Sequence, residues 1–486
     1  MQNNNVKIVS LKYVLADVKN QFGNQFKCVD GKFYQFTPSN LWEIDESATC
    51  IRNLLSTNIV QQLEAYHLAL IPHKDDEEIK KKIKVIDSFI KDLKRTNFKD
   101  HVVREFSDLV KDNTFIDKLN RQEFIIPIQP NHLFDLRTNE ITERDTSCNF
   151  SLECNALFLQ RPFDKQIAEN YEFVDKYFND LFCNNMQTKK AVLSIFKTIF
   201  KGKPTRYLYI FSGSGSNGKS LLLQLIKSIF GKFIDTISKS VVIKQKGNYT
   251  NILNTEMEKL QHIRVGFVSE LDDNDELNIK SIKEISGGDD IDLRGMRETN
   301  KTIKPMSSLL VITNQKPKIP FSNDENDKAI IKRLVNVPFK ATFENNSDFE
   351  NKMKSLTNEV FTYIMTEGEL FNNIQPLLSE EMIFEKNEYI NENKMDELKS
   401  YIDSHLVDCE NTKEDKPILL DDFRSSFYDY IKTRNLKYPN LTSTKFTKTC
   451  KSFGLAIKES NSKTRIYQKK WIEELDEDEE NTTFIY

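Results

Sequence analysis

Short apolar runs and helix-like segments alternate through the middle of this 486-residue chain. Residues 207–211, 264–268 and 308–312 are apolar runs of strand length, as expected for strands that are buried on both faces. The first run precedes a segment whose apolar residues recur at helical spacing, at Leu221, Leu222, Leu225, Ile226, Ile229 and Phe230. The pattern predicts an α/β core in which helices flank a parallel sheet.

The regions on either side of this core have different patterns. Residues 33–36 and 41–42 read as short aromatic strands. A nearby apolar stripe predicts a helix with one buried face and one charged, solvated face: Ile79, Ile83, Ile86, Phe89, Ile90 and Leu93. The predicted units are an N-terminal α+β domain (1–185), the core (186–345), a helical lid and linker (346–415), a C-terminal domain (416–472) and an acidic tail (473–486).

The loop after the first strand carries the clearest chemical signal. It fits the pattern GxxxxGKS, with Gly213, Ser214, Gly215, Ser216, Asn217, Gly218, Lys219 and Ser220. Glycines let the backbone curl so that successive N–H groups and the helix N-terminus face phosphate groups. In such a loop the lysine reaches the β- and γ-phosphates, and the serine hydroxyl holds Mg²⁺. The sequence therefore predicts a site for a nucleoside triphosphate with Mg²⁺.

The same glycines also spell GxGxxG, the fingerprint of dinucleotide-binding folds, in which an acid such as Asp235 would bind a ribose. GxGxxG by itself is a weak signal. Lys219 and Ser220 have no role in a dinucleotide site, and residues 231–234 look like a loop rather than the end of a strand. We therefore favour the triphosphate loop.

Polar residues stand near the ends of the later strands. Glu270 follows the second strand and is the candidate general base for the attacking water, with Asp272 as a second candidate. Asn314 follows the third strand, where its amide can contact both the γ-phosphate and that water. Arg333 is a candidate arginine finger, supplied in trans to the nucleotide of a neighbouring subunit. Each residue alone is more often structural, but their order after a phosphate loop favours catalysis.

The motifs after the phosphate loop resemble those of superfamily 3 helicases. They are residues 265–271, 286–290, 313–317 and 332–334, together with Arg294. Within that superfamily the chain is similar to the poxvirus-type helicase–primase NTPase group. Residues 115–120 and 131–138 are similar to the collar domain that precedes the ATPase in this group. Many AAA+ proteins have an acidic residue at the position of Ser269. A serine followed by a glutamate, as here, is common in the poxvirus-type group.

The resemblance implies an AAA+-type P-loop NTPase core, a collar domain and a homohexameric ring around DNA. It implies ATP as the nucleotide, with Mg²⁺ held by Ser220, Glu270 and water. Residues 294–301 correspond to a hairpin in the channel of the ring, where Arg297 and Lys301 would contact the phosphates of single-stranded DNA. Arg294 is equally suited to an internal ion pair with a neighbouring aspartate.

Relatives in this group often carry a primase domain at the N-terminus. Residues 1–150 contain no paired-carboxylate primase motif, so priming is not predicted. A separate primase or polymerase is a candidate partner.

Positive charge is concentrated toward the C-terminus. Between Pro417 and Trp471 there are twelve Lys or Arg and four Asp or Glu, a net charge of +8 in a chain whose total is −4. The helix and hairpin patterns there predict a winged helix, whose recognition helix enters the major groove of duplex DNA while the wing contacts phosphates. The candidate contacts are Lys445, Lys448, Lys463 and Arg465. The alternative is a solvated lysine-rich surface, and the acidic tail is most simply a disordered, solubilising segment.

Composition narrows the class of protein. With 38% hydrophobic and 29% charged residues, the chain has the make-up of a soluble globular protein, and no apolar run approaches the ~18 residues of a membrane span. Seven cysteines form no CxxC pair and six histidines form no HExxH motif, which disfavours structural zinc and metalloprotease chemistry and favours a reducing compartment. We expect a cytoplasmic location, in a host, a viral factory or a bacterium, and no membrane partner.

These features predict an ATP-dependent replicative DNA helicase of a virus or mobile element. Two other functions stay open. One is a DNA-binding initiator that uses ATP only as a switch, which ATPase activity without strand displacement would favour. The other is an AAA+ remodeller of proteins, which an absence of stimulation by DNA would favour.

Overall fold

The structure, a computed structural model, describes residues 11–244, 250–272, 274–293, 301–321, 325–371, 377–409, 417–434, 438, 440–460 and 463–471. Short strands and helices are mixed in the first part of the chain. They are α1 (Leu11–Phe22), β1 (Phe26–Val29), β2 (Lys32–Phe36), β3 (Trp42–Asp45), α2 (Thr49–Leu54), α3 (Val60–Leu70), α4 (Glu77–Leu93), α5 (Thr96–Leu109), α6 (Phe115–Lys118), β4 (Ile125–Ile128), β5 (His132–Asp135), β6 (Ile141–Glu143), α7 (Lys165–Leu181) and α8 (Met186–Ile199).

Strands and helices alternate in the middle region. They are β7 (Leu208–Ser212), α9 (Lys219–Phe230), β8 (Ile234–Thr236), α10 (Thr250–Lys259), β9 (Val265–Ser269), α11 (Ile279–Gly287), β10 (Ile291–Leu293), β11 (Lys301–Ile303), β12 (Ser308–Thr313), α12 (Glu325–Arg333) and β13 (Leu334–Pro338).

Helices dominate the rest of the chain. The elements are α13 (Ser347–Ser355), α14 (Thr357–Glu367), α15 (Glu380–His405), β14 (Leu406–Asp408), β15 (Ile418–Leu419), α16 (Leu420–Thr433), α17 (Ser443–Ser452), β16 (Ala456–Ser460), β17 (Lys463–Tyr467) and β18 (Lys469–Trp471). Across the described ranges, none of the helices combines the length and the apolar character that a membrane span needs.

Five strands of the middle region form one parallel sheet in the order β13-β7-β12-β9-β8. Leu208, at the start of β7, pairs with Leu309 of β12 and with Leu334 of β13. Val265, at the start of β9, pairs with Ser308. The carboxyl ends of these strands therefore lie at one edge of the sheet and their amino ends at the other. The predicted strands are β7, β9 and β12, and the predicted parallel sheet flanked by helices is confirmed.

Both faces of this sheet are covered, which is why its strands are almost wholly apolar. Tyr209 and Phe211 of β7 belong to one hydrophobic cluster, whereas Leu208 and Ile210 belong to another. The first cluster includes side chains of α7, α8, α9 and α14. The second includes side chains of α11, α12 and α15.

The N-terminal region contributes to more than one core. Side chains of α1 to α5 form a cluster with β1 and β2, and α4 buries four residues of the predicted stripe there: Ile86, Phe89, Ile90 and Leu93. Ile126 and Phe134, from the sheet of β4, β5 and β6, instead join a cluster of the central sheet. The ring of Phe134 lies 5.7 Å from that of Phe361 in α14. The stripe is one face of a helix, as predicted, while the domain boundary at residue 185 stays a prediction.

Arg264 links the N-terminal region to the amino end of β9. Its guanidinium is fully buried, and backbone carbonyls accept its hydrogen bonds: those of Asn120, Gln122, Ile125 and Phe200. Burial lowers the pKa of Arg264 to about 10, so the group stays charged at neutral pH. Nη1 and Nη2 donate to these carbonyls, whereas Nε has no hydrogen-bond partner among the described residues, so the bonds offset part of the cost of burying the charge.

The C-terminal region is a small unit built on the end of α15. Tyr401 of α15 is buried with Phe423 of α16 and Phe446 of α17. The strands β15, β17 and β16 form an antiparallel sheet in that order, and β14 pairs with β18. The predicted hairpin consists of β16 and β17. Because Tyr389 of α15 packs in a cluster of the central sheet, this one helix belongs to both units.

Candidate nucleotide-binding site

The predicted phosphate loop connects β7 to α9 at the carboxyl edge of the sheet. Ser216 and Gly218 adopt positive φ angles of 58° and 81°, which curl the backbone. Residues 214–216 are exposed, and so is Ser220 on the first turn of α9. An exposed, curled backbone ahead of a helix N-terminus is suited to bind an anion.

Lys219 is buried within this loop, with 6% of its surface exposed. Its Nζ donates to the carbonyl oxygen of Gly213 at 2.7 Å and to Oδ1 of Asn217 at 2.9 Å. Burial lowers the pKa of its ammonium group. Because both acceptors are neutral, the positive charge of Lys219 is still free to be balanced by an anion.

The segment 339–343, after β13, forms the outer wall of the loop. The backbone N–H of Phe339 donates to Ser212 O, and that of Phe343 donates to Ser216 O, both at 2.8 Å. Nδ2 of Asn217 also donates to the carbonyl oxygen of Phe339, at 3.3 Å. The shape of the loop is therefore fixed by a segment that lies more than a hundred residues away in the sequence.

The register of the sheet brings Glu270 and Asn314 to this same edge. Thr313, the residue before Asn314, pairs with Ser212, the residue before the phosphate loop. Ser269, the residue before Glu270, pairs with Ile312 of β12. Neighbouring strands are about 4.8 Å apart. Since β12 lies between β7 and β9, Asn314 stands between the phosphate loop and Glu270.

The backbones of both residues present their side chains at the edge. Glu270 has a left-handed conformation, with φ of 60°. This conformation is uncommon for a residue with a side chain and clusters at functional sites. Asn314 lies within a turn that is closed by a hydrogen bond from Oγ1 of Thr313 to the carbonyl oxygen of Gln315, at 2.6 Å. Glu270 and Asn314 are both exposed to solvent.

Asp272, the second candidate base, is held in a different arrangement. It forms an ion pair with Lys239, which also pairs with Asp275 at 3.0 Å. The backbone N–H of Asp272 donates to Oδ2 of Asp275 at 2.8 Å. These contacts shape the loop after β9, and they favour Glu270 as the base.

Asp235 does not fit the dinucleotide alternative. As predicted, no strand ends directly before Asp235: Gly231–Phe233 form a single 3₁₀ turn, and Asp235 is itself the central residue of the short strand β8. In dinucleotide-binding folds the strand that carries the acid is the neighbour of the strand before the glycine loop. Here β9 and β12 separate β8 from β7, so the two strands are about 14 Å apart.

Arg333 lies at the opposite, amino edge of the sheet. It ends α12 directly before Leu334, which pairs with the first residue of β7. Since β7 has five residues, the two edges are about 16 Å apart. Nε of Arg333 donates to Oγ of Ser286, and Nη1 donates to the carbonyl oxygen of Ala329, both at 3.1 Å. Arg333 is therefore remote from the phosphate loop of its own chain.

Arg206 shares this edge and was missed by the sequence analysis. Burial lowers the pKa of Arg333, the positive charge of Arg206 lowers it further, and Asp289 opposes both effects. Arg206 itself is exposed, immediately ahead of the first strand of the sheet. Its only signal in the sequence is a basic residue just before an apolar run.

The predicted hairpin, residues 294–301, lies outside the described residues except for the backbone of Lys301; the antiparallel strands β10 and β11 flank it, with Leu293 paired to Lys301. Oγ1 of Thr302 donates to Oδ1 of Asp292 at 2.7 Å across the two strands. Arg294 and Arg297 lie outside the described residues, and so does the side chain of Lys301, whose backbone begins β11. The predicted DNA contacts of the hairpin stay predictions.

The C-terminal unit has a cationic helix face. Lys445, Lys448 and Lys451 recur every third residue on α17 and are exposed, while the opposite face of α17 is packed in the C-terminal core. Lys463 is exposed and Arg465 half-buried on β17. The structure thus places two of the predicted contacts on the helix and two on the hairpin.

Residues 211–333 match the model of a family of unknown function, DUF5906. The chain is 26% identical over 340 residues to a candidate helicase of Acanthamoeba polyphaga mimivirus, over 68% of this chain and 34% of that protein. It is 26% identical over 197 residues to a candidate helicase of Frog virus 3 (isolate Goorha), over 40% and 19% of the two chains. It is 22% identical over 278 residues to a candidate helicase of Invertebrate iridescent virus 6, over 56% of this chain and 28% of that protein.

The chain thus spans 34% or less of the length of these relatives. The family match begins just before the phosphate loop and ends at Arg333, so it includes every predicted catalytic residue. Among solved structures, the apo form of the NrS-1 C-terminal region is similar with a TM-score of 0.34 and 10% identity, over 66% of this chain and 79% of that chain.

Gly213→Ala should destabilise the protein, whereas Gly215→Ala should not. A Cβ on Gly213 would lie 2.3 Å from the carbonyl oxygen of Phe339, while a Cβ on Gly215 meets nothing within 4 Å. We expect Gly213→Ala to lower the free energy of unfolding by about 1–3 kcal/mol, measured by chemical denaturation without nucleotide. Gly215→Ala is the matched control. Equal stabilities would contradict the close packing of the loop against its wall.

Proposed function

We propose that this chain is an ATP-dependent DNA helicase of the superfamily 3 type, which acts as a homohexameric ring in the replication of a virus or mobile element. One observation carries the proposal: a buried lysine in a phosphate loop shares a sheet edge with Glu270 and Asn314. The names of the viral relatives support it. An AAA+-type core is supported by the parallel sheet and by the position of β12 between the strands of the loop and of Glu270.

The loop residues fit a nucleoside triphosphate. The exposed backbone of residues 214–216 can donate to phosphate oxygens, and Lys219 can exchange its bonds to Gly213 O and Asn217 Oδ1 for them. Ser220 and Glu270, both exposed, would hold Mg²⁺, which neutralises charge on the phosphates.

Hydrolysis requires an oriented water and a proton acceptor. Glu270 accepts the proton of the attacking water, and the Asn314 amide holds that water against the γ-phosphate. The separation of about one strand spacing between the two residues suits this division of roles.

Arg333 acts in trans in this proposal. A ring in which the amino edge of one subunit faces the carboxyl edge of the next would bring Arg333 to the neighbour's nucleotide, where a guanidinium stabilises the charge that develops on the phosphates. The distance of about 16 Å between the edges supports a trans rather than a cis role. The nearby charge of Arg206 adds to the positive potential there.

DNA contacts divide between two regions. The hairpin of β10 and β11 would contact single-stranded DNA in the channel through Arg297 and Lys301. The C-terminal unit would bind duplex DNA as a winged helix, with α17 as the recognition helix and β16 and β17 as the wing. The N-terminal region would act as the collar of the ring, and a separate primase or polymerase would be a partner.

The cationic face of α17 is also what an ATP-switched initiator would need. Strand displacement by the purified protein separates the two functions, because an initiator of this kind would hydrolyse ATP without unwinding a duplex.

Lys219→Ala should abolish ATP hydrolysis, and Glu270→Gln should bind ATP while hydrolysing it about 10²–10⁴-fold more slowly. The first change removes the phosphate-binding charge, and the second keeps the shape of the side chain but removes the base. Steady-state ATPase rates and equilibrium ATP binding check both, with Asp272→Asn as the control. Near-normal ATP hydrolysis by Lys219→Ala would contradict the assignment of the nucleotide site. Loss of hydrolysis in Asp272→Asn but not in Glu270→Gln would mean that Asp272, and not Glu270, is the general base.

Mixing Arg333→Ala protein with Lys219→Ala protein should restore part of the ATPase activity that each lacks alone. Some interfaces of a mixed ring would then pair an intact phosphate loop with an intact arginine. The measurement is ATPase rate against mixing ratio, with native mass spectrometry to establish that the subunits mix. Mixed rings that stay inactive at every ratio would show that Arg333 is a cis or structural residue.

Replacing Lys445, Lys448 and Lys451 together by Gln should weaken duplex DNA binding and flatten its salt dependence. Each lost phosphate contact removes about 0.9 from the slope of log K against log salt. We prefer this change to deletion from Pro417 onward, because the deletion would strip Tyr401 of its packing partners. The control is Lys81, Lys84 and Lys91 to Gln on α4, which are equally exposed. An unchanged slope would mean that the α17 lysines are merely solvated.

A further inference from the structure

Lys316 stands two residues after Asn314, and its side chain is 22% exposed. Its Nζ lies 3.3 Å from Oε2 of Glu385 in α15 and 5.5 Å from the centre of the Tyr389 ring. The hydroxyl of Tyr389 donates to the carbonyl oxygen of Pro317. The turn that contains Asn314 is therefore held against α15 by contacts with Glu385 and Tyr389.

The same ammonium group connects to the strand of the phosphate loop. Asn336 of β13 is 1% exposed. In the amide orientation that satisfies its neighbours, it donates to Oγ of Ser212 at 3.0 Å and to the carbonyl oxygen of Ile210 at 3.1 Å, and its Oδ1 accepts from Lys316 Nζ at 3.3 Å. Ser212 is the last residue before the loop. Lys316 thus connects the turn after β12 to the middle of β13 and, through Asn336, to the end of β7.

Glu385 also reaches the wall of the loop. Lys340, the second residue of that wall, lies 3.1 Å from Glu385 and 2.9 Å from Glu381. Burial raises the pKa of Glu385, but hydrogen bonds and charge from Lys340 and Lys316 outweigh this and lower it overall, so the carboxylate stays ionised. Nearer the middle of α15, Oδ1 of Asn393 accepts from the backbone N–H of Ile319 at 2.6 Å.

We propose that Lys316 is a positioning residue that sets Asn314 against the phosphate loop and, through Glu385, links the nucleotide site to α15. The proposal rests on the proposed role of Asn314 in hydrolysis. Because α15 extends into the C-terminal core, where Tyr401 packs with Phe446 of α17, a change at the nucleotide site is transmitted to the cationic face of α17. Coupling between sites can be carried by a rigid secondary element, and α15 is one continuous helix from Glu385 to Tyr401.

Lys316→Met removes the charge and nearly keeps the length of the side chain, and we expect it to lower kcat for ATP by about 10- to 100-fold through misplacement of Asn314. KM for ATP should change by less than about threefold, since the phosphate loop is intact. Duplex affinity should differ between the ADP and the non-hydrolysable ATP-analogue states of the unsubstituted protein, and this difference should be lost in Lys316→Met. Glu385→Gln should show the same loss, and Lys316→Arg should recover part of kcat.

The control is Lys354→Met, which breaks an ion pair with Glu350 within α13. The inference would be overturned if both Lys316→Met and Glu385→Gln lowered only the melting temperature. In that case kcat and the effect of nucleotide on duplex affinity would be unchanged, and the role of Lys316 would be purely structural. If Lys316→Met does not fold, Lys316→Arg and Glu385→Gln decide by the same readouts. Failure of the unsubstituted protein to hydrolyse ATP would instead contradict the proposed function.

Discussion

The parallel register of β7, β12 and β9 is the constraint on which the candidate site depends. Backbone hydrogen bonds decide which residues stand level on neighbouring strands, and a slip of one residue would turn every side chain to the other face. In this register the phosphate loop, Asn314 and Glu270 meet at one edge, although they are far apart in the sequence. Arg333 and the hairpin of β10 and β11 are kept near the other edge, which separates nucleotide chemistry from the groups proposed to act on a neighbour or on DNA.

Segments outside the sheet stabilise its two edges. At the amino edge, the buried guanidinium of Arg264 joins the start of β9 to backbone carbonyls of the N-terminal region. At the carboxyl edge, the wall at 339–343 and the helix α15 hold the phosphate loop and the turn after β12. A nucleotide that moves the carboxyl edge would therefore move α15, and with it the C-terminal unit.

The sequence predicted the features that have local causes. The phosphate loop has a fixed spacing of residue types, and β7, β9 and β12 are long apolar runs, so the polar residues at their ends could be identified as candidates. β8 was not predicted, because a three-residue edge strand has no such run. The order of the strands in the sheet could not be predicted from local sequence patterns. That order places Asn314 between the phosphate loop and Glu270.

Contacts between distant segments were equally beyond the sequence. Arg206 is a common residue type at an ordinary position, and it becomes notable only because Arg333 lies beside it. Lys316 was visible as part of a motif, but its partners Asn336 and Glu385 come from a different strand and from a helix outside the sheet. Long-range partners of this kind are set by packing, which no periodicity in the chain records.

The most direct measurement is the ATPase rate of the full chain with and without single-stranded DNA, taken together with the mass of the particle that hydrolyses ATP. We predict that single-stranded DNA raises the rate and that the active particle has the mass of six chains. A rate that is unaffected by DNA, from a particle with the mass of one chain, would contradict a ring-shaped helicase.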